Sequence, residues 1–296
     1  MRTLRLLGLV LGLLAVTAVA SPWITVALQG LGGDFKFSRV YNRVFEVLLV
    51  LAIVLGWRRL DLGNASQIGL RHRAWADDLG RGLLIGALGV GVGVAACWLG
   101  GAMVPELRYD PAKTLWKSLA GLLGAVIVGI GEEALFRGVL LRRFAADMGR
   151  TRGVLLATTI YAVVHALRPG GSKLAYPMAG IDRTVGLFAP LADPIVLPSI
   201  IGLFGLGLVL AWARLRTGSL WTAIGIHAAY VAVFRVGRLV FDIRKTPAWL
   251  IGPAWPPLIG GAAGWLAVAV TALLVARALR RRAGLPDGQG DSMLAT

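Results

Sequence analysis

The stretch LAGLLGAVIVGIGEEALFR, Leu119 to Arg137, decides the fold. Leu119 to Ile130 is uncharged and reads as membrane-buried helix. Gly131-Glu132-Glu133 closes it. Two adjacent carboxylates in or near hydrocarbon cost several kcal/mol unless something pairs or uses them. On a helix, Glu133 and Arg137 are four apart and share a face, so Arg137 can neutralise Glu133. Glu132 points about 100° away, and nothing local pairs it. A free, desolvated carboxylate beside a held one is a candidate general base. The plainer alternative is a cytoplasmic helix end where Glu and Arg meet water.

Composition agrees with a membrane setting. The 296 residues are 57% hydrophobic and only 16% charged, with a mean hydropathy of +0.73. A soluble domain is about a quarter charged. The net charge of +16 sits mainly between apolar runs, as in membrane loops. No basic-aromatic module is visible, so nucleic acid is not an expected partner. Cys97, the single cysteine, cannot form an internal disulfide and reads as a packing residue.

Outward from the double Glu, the hydropathy pattern predicts an all-α polytopic membrane bundle of about eight transmembrane helices. The first span is Leu6 to Leu31. Ala18-Val19-Ala20 resembles a signal-peptidase site, but the uncharged run continues past it, which favours a retained helix. The second is about Tyr41 to Trp57, with Arg43 and Glu46 at pairing distance near its start. A basic segment from Arg58 to Arg81 follows, with a short amphipathic helix expected around Ala74 to Leu79. The third span, Gly82 to Trp98, carries Gly82-x-x-x-Gly86 and Gly89-x-x-x-Gly93, a helix-packing signal. The fourth, Leu115 to Leu141, holds the double Glu. The fifth is Gly153 to Leu167, and Arg168 to Asp193 reads as a long Gly- and Pro-rich loop. The sixth, seventh and eighth are about Pro194 to Ala213, Ser219 to Phe234 and Ile251 to Leu279. A polar tail, expected to be disordered, ends the chain. The divisions expected are 1–114, 115–236 and 237–296. More than half of the 31 basic residues fall on the N-terminal side of the membrane. That places both termini in the cytoplasm and the protein in the cell membrane. No internal repeat stands out, which argues against a transporter.

Two of the three histidines, His165 and His227, lie in expected spans; His72 lies in the basic segment and reads as solvated. Glu132 and His165 are 33 residues apart, with the midpoint at Met148-Gly149, where a turn is expected. Antiparallel helices leaving one turn reach equal depth after equal counts, here roughly 24 Å. The pair can therefore face each other across a hairpin and share a water. His227 comes after a separate turn at Thr217-Gly218 and could assist an oxyanion. The same Glu132, His165 and His227 have a second reading as a Zn2+ site with an open position. The sequence carries no zinc signature, so no cofactor is required.

The motifs Glu132-Glu133-x-x-x-Arg137, Tyr161-x-x-x-His165 and Ser219-Leu220-Trp221 before His227 resemble those of the CAAX-prenyl-protease and bacteriocin-processing (CPBP) family. The resemblance runs from about Lys117 to Arg235. It implies an eight-helix intramembrane endopeptidase that cuts membrane-associated substrates. It assigns water activation to Glu132 and His165 and oxyanion support to His227, with Glu133 and Arg137 completing the catalytic set. Prenylated peptides, leader-bearing peptides and C-terminal sorting tails are the substrates it leaves open. Two positions depart from the pattern. Tyr161 stands where Phe is frequent. Val231 stands where Asn or Asp is frequent, with Tyr230 and Arg235 as candidates to replace the missing donor. Val231 also favours the alternative of a non-catalytic membrane binding or immunity protein with the same fold.

Overall fold

The computed structural model describes residues 2–56, 63–167, 175–253, 256 and 258–283. Arg58 and Arg59, the start of the long loop at Arg168, and the expected disordered tail lie outside the described residues.

The chain runs α1 (Arg2–Gly30), α2 (Phe37–Gly56), α3 (Trp75–Leu99), β1 (Met103–Pro105) and α4 (Pro111–Glu133). Asp110 starts α4: its side chain accepts from the Lys113 amide at 2.9 Å, with Pro111 at the first helical position. After Glu133 the helix widens into a π-type turn, Ala134–Leu140, then resumes as α5 (Leu141–Met148). Gly149, with φ of 86°, reverses the chain into α6 (Arg150–Ala166), a conformation that glycine adopts freely. There follow α7 (Ala179–Phe188), α8 (Leu197–Thr217), α9 (Trp221–Val240), β2 (Phe241–Ile243), α10 (Ala248–Ile251) and α11 (Ala262–Ala283).

The result is an all-α polytopic bundle. Among the described residues, six helices are long and apolar enough to cross a membrane. They match the expected first, third, fourth, sixth, seventh and eighth spans. The other two fall short for visible reasons. α2 carries Arg39, Arg43 and Glu46 in its first turns. α6 has 17 residues, about 25 Å of helix against a hydrocarbon core of about 30 Å.

Three local expectations need correction. The short helix at Ala74 to Leu79 is instead the first turns of α3. The long loop is helical over α7, whose Thr184 accepts a 2.6 Å hydrogen bond from the Tyr41 hydroxyl of α2. The eighth span begins at Ala262, because Pro253, Pro256 and the Gly260-Gly261 pair interrupt the run after α10.

α9 is the central element, with α3 and α4 packed along it and α11 behind α3. The small-residue stripes of α3 make this possible. A Cβ at Gly82 would collide with the Thr222 carbonyl, and one at Gly86 would lie 2.8 Å from the Ile226 carbonyl, both on α9. Gly89 and Gly93 meet Thr271 and Ala263 of α11 in the same way. Leu210, Ile226, Ala223 and Tyr161 are buried where α6, α8 and α9 converge. At one end of the bundle, β1 and β2 form an antiparallel pair, Met103 opposite Ile243 and Pro105 opposite Phe241.

Candidate functional site

The last turn of α4, the last turn of α6 and the second turn of α9 converge on one cluster. The α5–α6 hairpin brings His165 back to the level of Glu132. It is tight: a Cβ on Gly153 would collide with the Ala145 amide. His227 arrives through the α4–α9 contact, where Gly129 leaves room for the Ile224 carbonyl at 3.2 Å from a would-be Cβ.

Glu132 Oε2 lies 3.0 Å from His165 Nε2 and 3.7 Å from His227 Nε2. The Glu132 side chain retains 32% exposure, while Glu133 has none. Glu133 Oε1 accepts from Arg137 Nη1 and from His227 Nδ1, each at 2.7 Å. Arg137 also donates to the Gly207 carbonyl of α8 at 3.3 Å. The sequence pairing of Glu133 with Arg137 is present, and His227 is its second partner.

Backbone and side-chain acceptors fix both imidazoles. His165 Nδ1 lies 2.8 Å from the Tyr161 carbonyl, which can only accept, so Nδ1 carries the proton. The Glu133 carboxylate fixes His227 in the same sense. Both Nε2 atoms therefore face Glu132. The Tyr161 ring lies 4.3 Å from the His165 ring, stands edge-on to His227 at 6.0 Å, and carries the Arg137 guanidinium over its face at 4.2 Å. In the sequence Tyr161 stands out only as a departure from the family pattern. The usable signal was its place four residues before His165, which puts its carbonyl under the ring.

The cluster forms one end of a cavity of about 800 Å³. The cavity follows α9 past Tyr230, Val231 and Arg235 to Phe241 and Ile243, with α3 and α4 as opposing walls. Its lining is almost entirely apolar apart from Glu132, the two histidines and Arg235. Neither candidate to replace the Val231 donor reaches the cluster. Thr271 Oγ1 donates to the Ala267 carbonyl, so the Tyr230 hydroxyl, 2.8 Å away, spends its proton on Thr271. Arg235 is eight residues beyond His227, about 12 Å along the helix.

Glu132, His165 and His227 can also hold a metal ion: one donor atom from each lies within 4.8 Å of the others. Zinc bonds of about 2.1 Å in tetrahedral geometry separate ligands by about 3.4 Å, between the two distances found here. Anchored Nδ1 atoms are the usual outer shell of such ligands. The donor set fits zinc.

Of the remaining expectations, Arg43 pairs with Glu46 on the surface. Cys97 is buried among apolar neighbours. His72 is not simply solvated: its Nδ1 lies 3.0 Å from Asp78 Oδ2, a fully buried carboxylate in the first turn of α3.

Comparison with known families gives one match. The family model described as Type II CAAX prenyl endopeptidase Rce1-like covers residues 114–233. No curated protein and no solved structure matches the chain.

Proposed function

Because residues 114–233 belong to the Rce1-like type II CAAX prenyl endopeptidase family of the CPBP group, we propose that this membrane protein is an intramembrane endopeptidase working through Glu132, His165 and His227. The observation that carries the reading is the 3.0 Å approach of Glu132 Oε2 to His165 Nε2 at the end of an apolar cavity.

Glu132 takes a proton from a water bound beside it and His165 at the end of the cavity, and the hydroxide adds to the peptide carbonyl. The oxygen of that carbonyl becomes an oxyanion, for which His227 is the placed partner. Donation to an oxyanion needs a proton on His227 Nε2, since Nδ1–H is committed to Glu133. Charge balance allows this. Two carboxylates against one guanidinium leave a net charge of −1, which one histidine proton cancels. Collapse of the tetrahedral intermediate expels the amine, which receives the proton that Glu132 took from the water, passed on through His165 Nε2 at 3.0 Å. Glu133 and Arg137 touch no reacting atom; they position His227. The expected substrates are peptides at the membrane: prenylated, leader-bearing or C-terminal sorting sequences. The setting proposed is the cell membrane with both termini cytoplasmic.

Changing Glu132 to Gln abolishes cleavage while the protein stays folded and inserted. Mass-spectrometric comparison of protein termini from cells with active and Glu132→Gln enzyme reads this out and identifies substrates. Identical termini in the two samples end the reading. A phenotype that survives joint loss of Glu132 and His165 selects instead a non-catalytic binding protein, which Val231 favours.

A second reading follows from the donor geometry. Glu132, His165 and His227 would hold a zinc ion that polarises the carbonyl and activates water. Under the glutamate reading, activity survives exhaustive chelation. Loss on chelation with recovery on Zn2+ addition selects the metal.

A further inference from the structure

The α8–α9 turn and the segment before α3 meet at the end of the bundle opposite β1 and β2. Hydrogen bonds to the backbone pin the meeting. The Leu220 amide donates to the Gly69 carbonyl at 2.9 Å, and Trp221 Nε1 donates to the Leu70 carbonyl at 2.8 Å. Arg214 of α8 lays its guanidinium on Gly69, whose φ is 84° and where a Cβ would stand 2.7 Å from Cζ. Its Nη2 donates to the Gln67 carbonyl at 3.2 Å. From Arg71 to Trp75 exposure alternates: Arg71, Arg73 and Trp75 are exposed, while His72 and Ala74 are partly covered. His72 anchors this stretch to α3, its Nδ1 lying 3.0 Å from Asp78. The Trp75 ring leans on Trp221, with centroids 5.4 Å apart. Arg216, also exposed, follows Arg214 by two residues. Among the described residues none of these four arginines forms an ion pair with a carboxylate. Asp77, the exposed acid two residues past Trp75, reaches none of them. Gathering like charges costs free energy that an anion at the same place offsets.

We propose that this patch binds the phosphate of an anionic phospholipid, with Arg71, Arg73, Arg214 and Arg216 as its cations beside the Trp75–Trp221 pair. Position favours a lipid as the occupant. Trp75 and Trp221 open the membrane spans of α3 and α9, so the patch lies where hydrocarbon gives way to headgroups, the level that tryptophan prefers. Guanidinium forks match phosphate oxygens two at a time. Basic clusters beside a span favour lipids of net negative charge. Phosphatidylcholine carries its own ammonium next to the phosphate and gains little from them. In the proposed orientation the leaflet is the cytosolic one. Arg214 differs from the other three: it is partly buried and held on Gly69, so it fixes where the phosphate sits, and the exposed arginines add charge around it. The site stands whether or not the protein cleaves peptides.

The test titrates the full chain, in dodecyl maltoside, into phosphatidylglycerol with a fluorophore on one acyl chain and into the matching phosphatidylcholine, with anisotropy as the readout. Phosphatidylglycerol binds more tightly, by about fivefold for each arginine engaged. Arg71→Gln, Arg73→Gln and Arg216→Gln, all at exposed positions, each remove about one such factor and together bring the two lipids close to equal. Each single variant reads its own factor, so the test does not depend on the triple variant folding. Arg214→Lys keeps the charge, loses the fork, and weakens phosphatidylglycerol while leaving phosphatidylcholine unchanged. The control is the pair Arg277→Gln and Arg280→Gln. Both lie near the end of α11, which runs antiparallel to α3 behind it, since Gly89 meets Thr271 and Gly93 meets Ala263. They remove charge from the same end of the bundle and leave the lipid preference intact. Equal affinity of the unaltered protein for the two lipids overturns the proposal, as does a preference that survives the single and triple variants. An equal loss in the α11 control reduces it to net charge and overturns the local site. Displacement of the labelled lipid by inorganic phosphate at a comparable concentration overturns the lipid as the occupant.

Discussion

Glu132 and Glu133 are chain neighbours with opposite electrostatic situations. Glu133 is wholly buried and accepts from both Arg137 and His227. Removing it leaves a guanidinium and an imidazole without their shared acceptor. Glu133→Ala should therefore destabilise the protein by about 3 to 5 kcal/mol, visible as a lowered thermal midpoint in detergent. Glu132→Gln should leave that midpoint nearly unchanged and remove cleavage. The contrast separates a positioning acid from a reacting one. At Val231 the prediction has the opposite sign. An Asn there, one turn beyond His227 and facing the cavity, would supply a donor that the wall lacks. Val231→Asn should raise kcat about tenfold or more if an oxyanion forms at His227. At this scale the Glu133–Arg137 pair was legible, because i and i+4 on a helix are neighbours whatever the fold. The His227–Glu133 bond was not, since 94 residues separate the partners and only packing brings them together.

At the level of elements, the glycines of α3 decide how close α9 can come. Val at position 86 would put its Cβ 2.8 Å from both the Ala229 side chain and the Ile226 carbonyl. Because Ile226 adjoins His227, the strain falls on the candidate site. Gly86→Val should cost about 1 to 3 kcal/mol. It should also lower kcat by displacing His227, whereas Gly80→Val, on α3 away from the cavity and meeting nothing within 4 Å, should not displace it. The sequence showed the glycine stripes but not their partners, since any helix can receive them. The π-type turn after Glu133 left no trace in the sequence, because one extra residue in a turn hardly alters hydropathy. α7 was hidden for another reason. Its polar residues, Asp182, Arg183 and Thr184, interrupt an apolar pattern, and its fit depends on Tyr41 and Ala18 of other helices.

For the whole molecule, the arithmetic of one hairpin placed two residues that the chain separates widely. It worked because Gly149 reverses the chain where the midpoint fell and because α4 to α5 stays continuous over 38 residues to Met148. The count of spans was less legible. Charge in α2 and the shortness of α6 leave both near the limit at which a helix crosses alone. Their places at membrane depth would have to come from neighbours.

The paired strands β1 and β2 tie the far ends of α3 and α9 through the main chain. The Glu106 amide donates to the Val240 carbonyl, and the Arg244 amide to that of Ala102, both at 2.9 Å. Backbone sets the gauge of the passage there, and side chains, those of Met103, Phe241, Ile243 and Leu258 among them, set its bore. Such a throat can be re-reamed for thicker or thinner cargo by exchanging side chains, without retooling the frame that carries the histidine.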